Sequence, residues 1–212
     1  MEKVLVVGAN GTTGKKIVDI LDEYRNYEPV AMIRHQDQAE QFKKKDIETV
    51  MGDLEKNVSH TVTRIHKIVF AAGSGGGTSK EKTTAVDQEG AKKLIDLAEI
   101  AGIRKFVMLS SMGADNPEQS EDLQHYLKAK QNADEHLRKS GMDYSIVRPG
   151  ALTDDKGTGK IKLAQKLNER GSITRDDVAE TLVAALHDDI ASNKTFEILQ
   201  GETEIDDAVK TI

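Results

Sequence analysis

The 212-residue chain contains no cysteine and no tryptophan. Without cysteine there are no disulfide staples, no thiol nucleophile and no thiolate metal ligand, and a reducing, cytoplasmic setting is the expectation. Aromatic residues are few (four Phe, four Tyr), and there are only three prolines. No apolar run approaches the roughly 18 residues that a membrane span requires. The sequence enters a strand-like run directly, without the basic and apolar regions of a secretory leader. Six histidines are scattered without ligand spacing, so no metal site is expected. An excess of positive charge is also missing: 30 basic against 36 acidic residues, net −6, does not favour a nucleic-acid partner. At 37% hydrophobic and 31% charged residues, the composition is that of a soluble globular chain. Its length suits one domain over residues 1–212.

The chain is organised around VLVVGANGTTGKKI, Val4 to Ile17. Val4 to Val7 read as a buried strand, and Ile17, Ile20 and Leu21 as the apolar face of a helix. Between them stand Gly8, Gly11 and Gly14. In a strand–turn–helix context this spacing points to dinucleotide binding. The first glycine permits the tight turn, the second admits a pyrophosphate close to the backbone, and the third lets helix and strand pack closely. Free N–H groups and the positive dipole end of the helix then face the phosphates. Asn10, Thr12 and Thr13 belong to the same turn.

Strand-like and helical runs alternate through the rest of the chain, which predicts an α/β fold with a parallel sheet. Strands are expected at 29–34, 47–51, 68–72, 105–109, 144–147 and 195–199, making six to seven with the first, with helices on both faces in a doubly wound, Rossmann-type arrangement. Helices are expected at 38–45 (with Ala39 and Phe42 inward), 82–101, 123–140 and from an N-cap at Thr174 to about 186. The glycine run 73–77 reads as a mobile loop. Residues 151–173, rich in Gly and Lys, break the alternation and read as a small inserted loop or lobe on the substrate side.

Four motifs in order, GANGTTG after the first strand, Ser110-Ser111 after the fifth, Tyr126-x-x-x-Lys130 on the following helix and Val-Arg-Pro-Gly after the sixth, resemble the short-chain dehydrogenase/reductase superfamily. The short length makes the chain most similar to its atypical branch, which includes epimerase-like, NmrA-like and flavin/biliverdin reductase-like proteins. The resemblance covers nearly the whole chain.

An NAD binder usually carries an acid about 20 residues beyond the glycine motif, for a ribose hydroxyl. Here that place, at the end of the second strand, is taken by Arg34, which suits a 2′-phosphate through a forked, charge-assisted contact. NADP(H) is therefore the expected cofactor, with NAD possible through Asp37; His35 is the alternative stacking partner for adenine, or is solvated. The resemblance further implies that Asp53, between Gly52 and Leu54, contacts the adenine. It implies that Ala71, Ala72 and Gly73 leave room for ribose and phosphates, and that Pro149 and Gly150 turn the chain beside the nicotinamide. Arg148 would bind either a substrate anion or a neighbouring acid.

Tyr126 and Lys130, four residues apart, share a helix face with Leu123, Leu127, Ala133 and Leu137. A lysine in an apolar stripe requires a partner or a cleft. By resemblance, Tyr126 is the general acid/base, Lys130 lowers the tyrosine pKa from about 10 and holds the nicotinamide ribose, and Ser111 hydrogen-bonds the substrate oxygen, with Ser110 as its alternative and a cofactor contact. Many family members carry an asparagine where this chain has Asp87. An ionised carboxylate cannot donate a hydrogen bond, so the proton relay either runs through water or is absent.

The expectation is an NADP-dependent oxidoreductase acting on a small-molecule substrate, with no nucleic-acid or membrane partner. The other readings are a sugar epimerase-like or flavin reductase-like activity, or a non-catalytic NADP-sensing regulator. The charged outer faces of the helices lean towards a monomer.

Overall fold

Apolar runs without polar alternation form strands buried on both faces, as a parallel sheet requires. The computed structural model describes residues 1–75 and 77–212, so Gly76 of the expected 73–77 loop lies outside the described residues. The strands are β1 (Glu2–Val7), β2 (Tyr27–Ile33), β3 (Glu48–Met51), β4 (Lys67–Phe70), β5 (Lys105–Leu109), β6 (Asp143–Pro149), β7 (Ala151–Thr153), β8 (Lys160–Ala164), β9 (Ser172–Thr174), β10 (Lys194–Gln200) and β11 (Thr203–Glu204). The helices are α1 (Thr12–Glu23), α2 (Ala39–Lys43), α3 (Lys80–Thr83), α4 (Ala91–Ile100), α5 (Gln124–Lys139), α6 (Arg175–Ala184) and α7 (Ile205–Lys210), and a π-helical segment, Thr84–Gly90, joins α3 to α4.

One nine-stranded sheet runs in the order β11-β8-β10-β6-β5-β4-β1-β2-β3. The chain starts at β1, builds outward through β2 and β3, then returns to place β4 on the other side of β1. This reversal opens a crevice at the carboxyl ends of β1 and β4, where open α/β sheets bind ligands. Side-chain alternation along β1 feeds two cores. Val4 and Val6 pack with Ile17, Leu21, Val178 and Leu182 of α1 and α6. Leu5 and Val7 pack with Leu94, Ile95 and Leu137 of α4 and α5.

The sheet has more strands than the six to seven expected, because β8 and β11 were not legible. β8 (KIKLA) alternates lysine with apolar residues. Its Ile161 is buried while Lys162 is exposed, and it pairs antiparallel with β10. Residues 151–173 therefore contribute three strands, one of them built into the main sheet, while β7 and β9 pair separately. The helix expected at 82–101 is divided by the π-helical segment. Thr174 does cap α6, accepting the Asp177 N–H at 3.0 Å.

At the opposite end of the sheet, two strand-initial lysines are buried side by side. Lys67 donates to the Leu186 carbonyl at 2.8 Å, and Lys105 to those of His187 (2.9 Å) and Ile190 (2.7 Å). They satisfy carbonyls in the turns following α6, a structural duty remote from the crevice.

Candidate active site

The three glycines of the first turn are under unequal constraint. Gly8 has φ +89°, and a Cβ there would lie 2.7 Å from the Ala72 backbone. Gly8 thus serves both the left-handed turn and the close approach of the segment after β4. A Cβ on Gly14 would stand 2.1 Å from the Gly8 carbonyl oxygen, so only glycine lets α1 seat on the turn. Gly11 is different. Its φ of −72° suits any residue, and its Cβ would meet only the Gly8 oxygen, at 3.2 Å. The fold scarcely needs a glycine there, whereas a phosphate approaching the backbone does. α1 carries no side-chain cap and no acid in its first turn, so its N-terminal amides and positive dipole end have no competing carboxylate there, the arrangement that suits an anion. Thr12 is exposed and Thr13 buried, and Asn10 is oriented by a hydrogen bond from Gln41 at 2.6 Å. These residues fit a dinucleotide's pyrophosphate.

Arg34 lies exposed just beyond β2. Among the described residues no carboxylate lies within ion-pair distance of its guanidinium, and the nearby Gln38 side chain accepts its backbone N–H. His35 caps the turn 36–38, and both His35 and Asp37 are exposed. Burial raises the Asp53 carboxyl, but the Glu55 N–H, Lys56 and Arg34 together hold it below the usual carboxylate range. Its neighbours are structural: a Cβ on Gly52 would strike Met32 at 2.4 Å, and Leu54 is buried against Gly90. Ala71 and Ala72 are half-buried and Gly73 is exposed, together forming the small-residue rim of the crevice.

Lys130 and Tyr126 come together as their spacing predicts, with Nζ 5.6 Å from the half-buried ring centroid. Lys130 is only 3% exposed. Its partner is Asp87 from the π-helical segment, with Oδ1 3.2 Å from Nζ, and Nζ also donates to the Leu109 carbonyl at 3.3 Å. Burial opposes the ammonium charge, but Tyr126, Asp87 and Asp134 outweigh it, and the lysine pKa is raised. Leu127, Ala133 and Leu137 line the buried face of α5 as expected; Leu123 precedes the helix and is exposed.

The two serines diverge. Ser110 is buried and donates to Asp134 Oδ2 at 2.9 Å, which turns its hydroxyl inward. Ser111 is half-buried and donates to the Met112 carbonyl at 3.2 Å; among the described residues no hydrogen bond joins it to Tyr126. The choice left open for Arg148 falls to neighbouring acids. Its Nε and Nη2 donate to Asp134 Oδ2 at 3.0 and 2.8 Å, and Nη1 lies 3.7 Å from Asp115. Burial raises the Asp134 carboxyl despite Arg148 and Ser110. Pro149 is buried in β6, and a Cβ on Gly150 would lie 2.3 Å from Leu199 and 2.5 Å from the Gly171 carbonyl oxygen, so close packing against β10 accounts for this glycine. Sequence reasoning missed Asp87 as the lysine's partner and Asp134 as the hub beneath the serines. No local periodicity links residues that meet only across elements.

The reversed strand order, the glycine turn and the buried lysine beside a tyrosine define a dinucleotide-binding Rossmann-type protein. Residues 8–189 match the NAD(P)H-binding family, and the chain belongs to it. It is 39% identical over 214 residues to the uncharacterized sugar epimerase YhfK of Bacillus subtilis, covering 99% of this chain and 100% of that protein. A candidate NAD-dependent epimerase/dehydratase from Bacillus halodurans is 40% identical, with a TM-score of 0.96 over 100% of both chains. The oxidoreductase ylbE of Lactococcus lactis is 30% identical, with a TM-score of 0.88 over 99% of this chain and 96% of its own. No helix among the described residues is long and apolar enough to cross a membrane.

Proposed function

We propose that the chain is an NADP(H)-dependent oxidoreductase of the atypical short-chain dehydrogenase/reductase type, acting on a small substrate in the cytoplasm. The observation that carries this reading is Lys130, an ammonium buried to 3% exposure beneath the Tyr126 ring near the carboxyl end of the sheet. The other two deeply buried lysines described above, Lys67 and Lys105, tie turn carbonyls at the opposite end of the sheet; Lys130 differs from them in lying against a tyrosine ring at the end where open α/β sheets bind ligands.

When bound, the nicotinamide would supply or accept the hydride. The glycine turn and the first amides of α1 would hold the pyrophosphate, and Arg34, with no carboxylate within ion-pair distance among the described residues, would hold the 2′-phosphate. Lys130 would donate to the nicotinamide ribose. Tyr126 Oη would pass its proton to the substrate oxygen, or take it back in the reverse direction. Ser111, with its hydroxyl on a neighbouring carbonyl, is available to rotate towards that oxygen.

The sugar-epimerase description of the Bacillus subtilis relative favours a second reading, in which the hydride returns to the same substrate. The three short strands of residues 151–173 leave little chain to enclose a nucleotide sugar, which weighs against it. Calorimetric titration with NADPH and NADH, followed by assays with carbonyl substrates, nucleotide sugars and free flavin, tests the proposal. Net NADPH consumption that depends on Tyr126 supports the oxidoreductase. Turnover without net consumption supports the epimerase, and flavin reduction that survives Tyr126→Phe supports a flavin reductase. Cofactor binding without any turnover returns the protein to a sensing role.

A further inference from the structure

Asp87 is completely buried, in the π-helical segment. Its two oxygens face different parts of the candidate site. Oδ2 accepts the Ser74 N–H at 2.8 Å, in the turn that follows β4. Oδ1 pairs with Lys130 at 3.2 Å, but without hydrogen-bond alignment, so it has no hydrogen-bond partner of its own. The same oxygen would lie 3.2 Å from a Cβ on Gly73, so the carboxylate is pressed against that turn. Thr83, the last residue of α3, adds a hydroxyl contact to Ser74 at 3.1 Å. A π-helical turn widens the helix locally and is a recurrent device for aiming a side chain into a site.

A buried carboxylate and a buried ammonium each depend on the other, since removing either strands a charge in low dielectric. The groups facing Lys130 are Asp87 from the π-helical segment, Tyr126 and Asp134 from its own helix, and the Leu109 carbonyl from β5. Asp134 is already engaged by Arg148 and Ser110. Among the described residues, Asp87 is thus the one carboxylate in direct contact with Lys130.

We propose that Asp87 is a positioning residue that fastens the 73–75 turn and Lys130 to one carboxylate, so that the two sides of the crevice are ordered as a unit. This rests on the functional reading above only in naming those sides the cofactor turn and the catalytic helix.

Two measurements on the cofactor-free protein test the link. In side-chain NMR of 13C-labelled lysine, with Lys130→Met identifying the resonance, wild-type Lys130 should remain charged throughout the range in which the surface lysines begin to titrate. In Asp87→Asn its titration should move down by about one pH unit or more, because burial then acts without the carboxylate in direct contact with the ammonium. Hydrogen exchange at the Ser74 amide should quicken about tenfold in Lys130→Met, although Lys130 does not touch Ser74, because the carboxylate loses its anchor. Asp87→Asn should keep part of that protection, since its amide oxygen still accepts; Asp87→Ala should lose it. Thermal melts establish that each variant is folded, and the near-isosteric Asp87→Asn and Lys130→Met carry the test if Asp87→Ala does not fold. Unchanged Ser74 exchange in Lys130→Met, or an unchanged Lys130 titration in Asp87→Asn, overturns the proposal. A parallel NADPH titration of the wild type separates the two ideas: no binding removes the cofactor assignment, while the cofactor-free readouts still decide the link.

Discussion

Gly11 and Gly14 stand one helical turn apart in the same motif, yet the structure assigns them opposite duties, and alanine at each should separate fold from function. At Gly14 the new methyl would lie 2.1 Å from the Gly8 oxygen and 2.8 Å from its carbonyl carbon, all backbone, so α1 or the turn must shift by more than 1 Å. Overpacking of this kind costs about 3 kcal/mol at its upper end. The better helix propensity of alanine returns about 1 kcal/mol. The net loss of about 2 kcal/mol corresponds to a Tm lower by about 4–8 °C for a chain of this size. At Gly11 the φ of −72° and ψ of 165° are open to alanine, and the single close atom is 3.2 Å away. Reduced unfolded-state entropy offsets part of the poorer N-cap, so stability should stay within about 1 kcal/mol of wild type. The same methyl occupies the space required by a pyrophosphate and should weaken NADPH binding at least tenfold, about 1.4 kcal/mol. Differential scanning calorimetry and isothermal titration of both variants provide the check. A Gly11→Ala protein that binds NADPH like the wild type would refute the assignment of the turn to the pyrophosphate. One that melts as early as Gly14→Ala would refute the division of labour between the glycines.

Arg34→Ala should weaken NADPH binding by about 10- to 100-fold, the loss of a charge-assisted phosphate contact of about 1.5–3 kcal/mol, and leave NADH binding unchanged; equal loss for both cofactors in titration calorimetry would return the residue to the surface. Tyr126→Phe should lower kcat by about 100-fold or more with NADPH affinity retained, as expected for a lost general acid, and a substrate assay alongside cofactor titration separates the two effects. Asp134→Ala strands the buried Arg148 cation and should cost about 3–5 kcal/mol in urea unfolding, with Asp134→Asn less damaging. Asp176 is held below the ordinary carboxylate range by Lys16 and the Gly157 N–H. Its stabilisation is therefore present above the unfolded-state pKa of about 3.9 and lost as pH falls through the lower folded-state value, so Tm measured across that range should fall less steeply with acid in Asp176→Asn than in the wild type.

Local chemistry was sufficient for a good part of this protein. The run Val4–Val7, the three-residue glycine spacing and the apolar face of α1 specify strand, turn and helix through steric rules that act within a few residues. The four-residue interval between Tyr126 and Lys130 places them on one helix face whatever surrounds them. β8 was hidden because a half-buried strand with alternating lysines looks like solvated loop until a neighbour strand claims its apolar side. The inward turn of Ser110, the choice of Asp134 by Arg148 and the meeting of Asp87 with Lys130 had no signal in the chain. Each joins residues on different elements, and each is a buried polar group whose partner is decided by strand register and helix packing. Periodicity reports which side of an element faces inward; only tertiary structure decides which charge waits there, because a desolvated charge must take the partner that packing brings within reach.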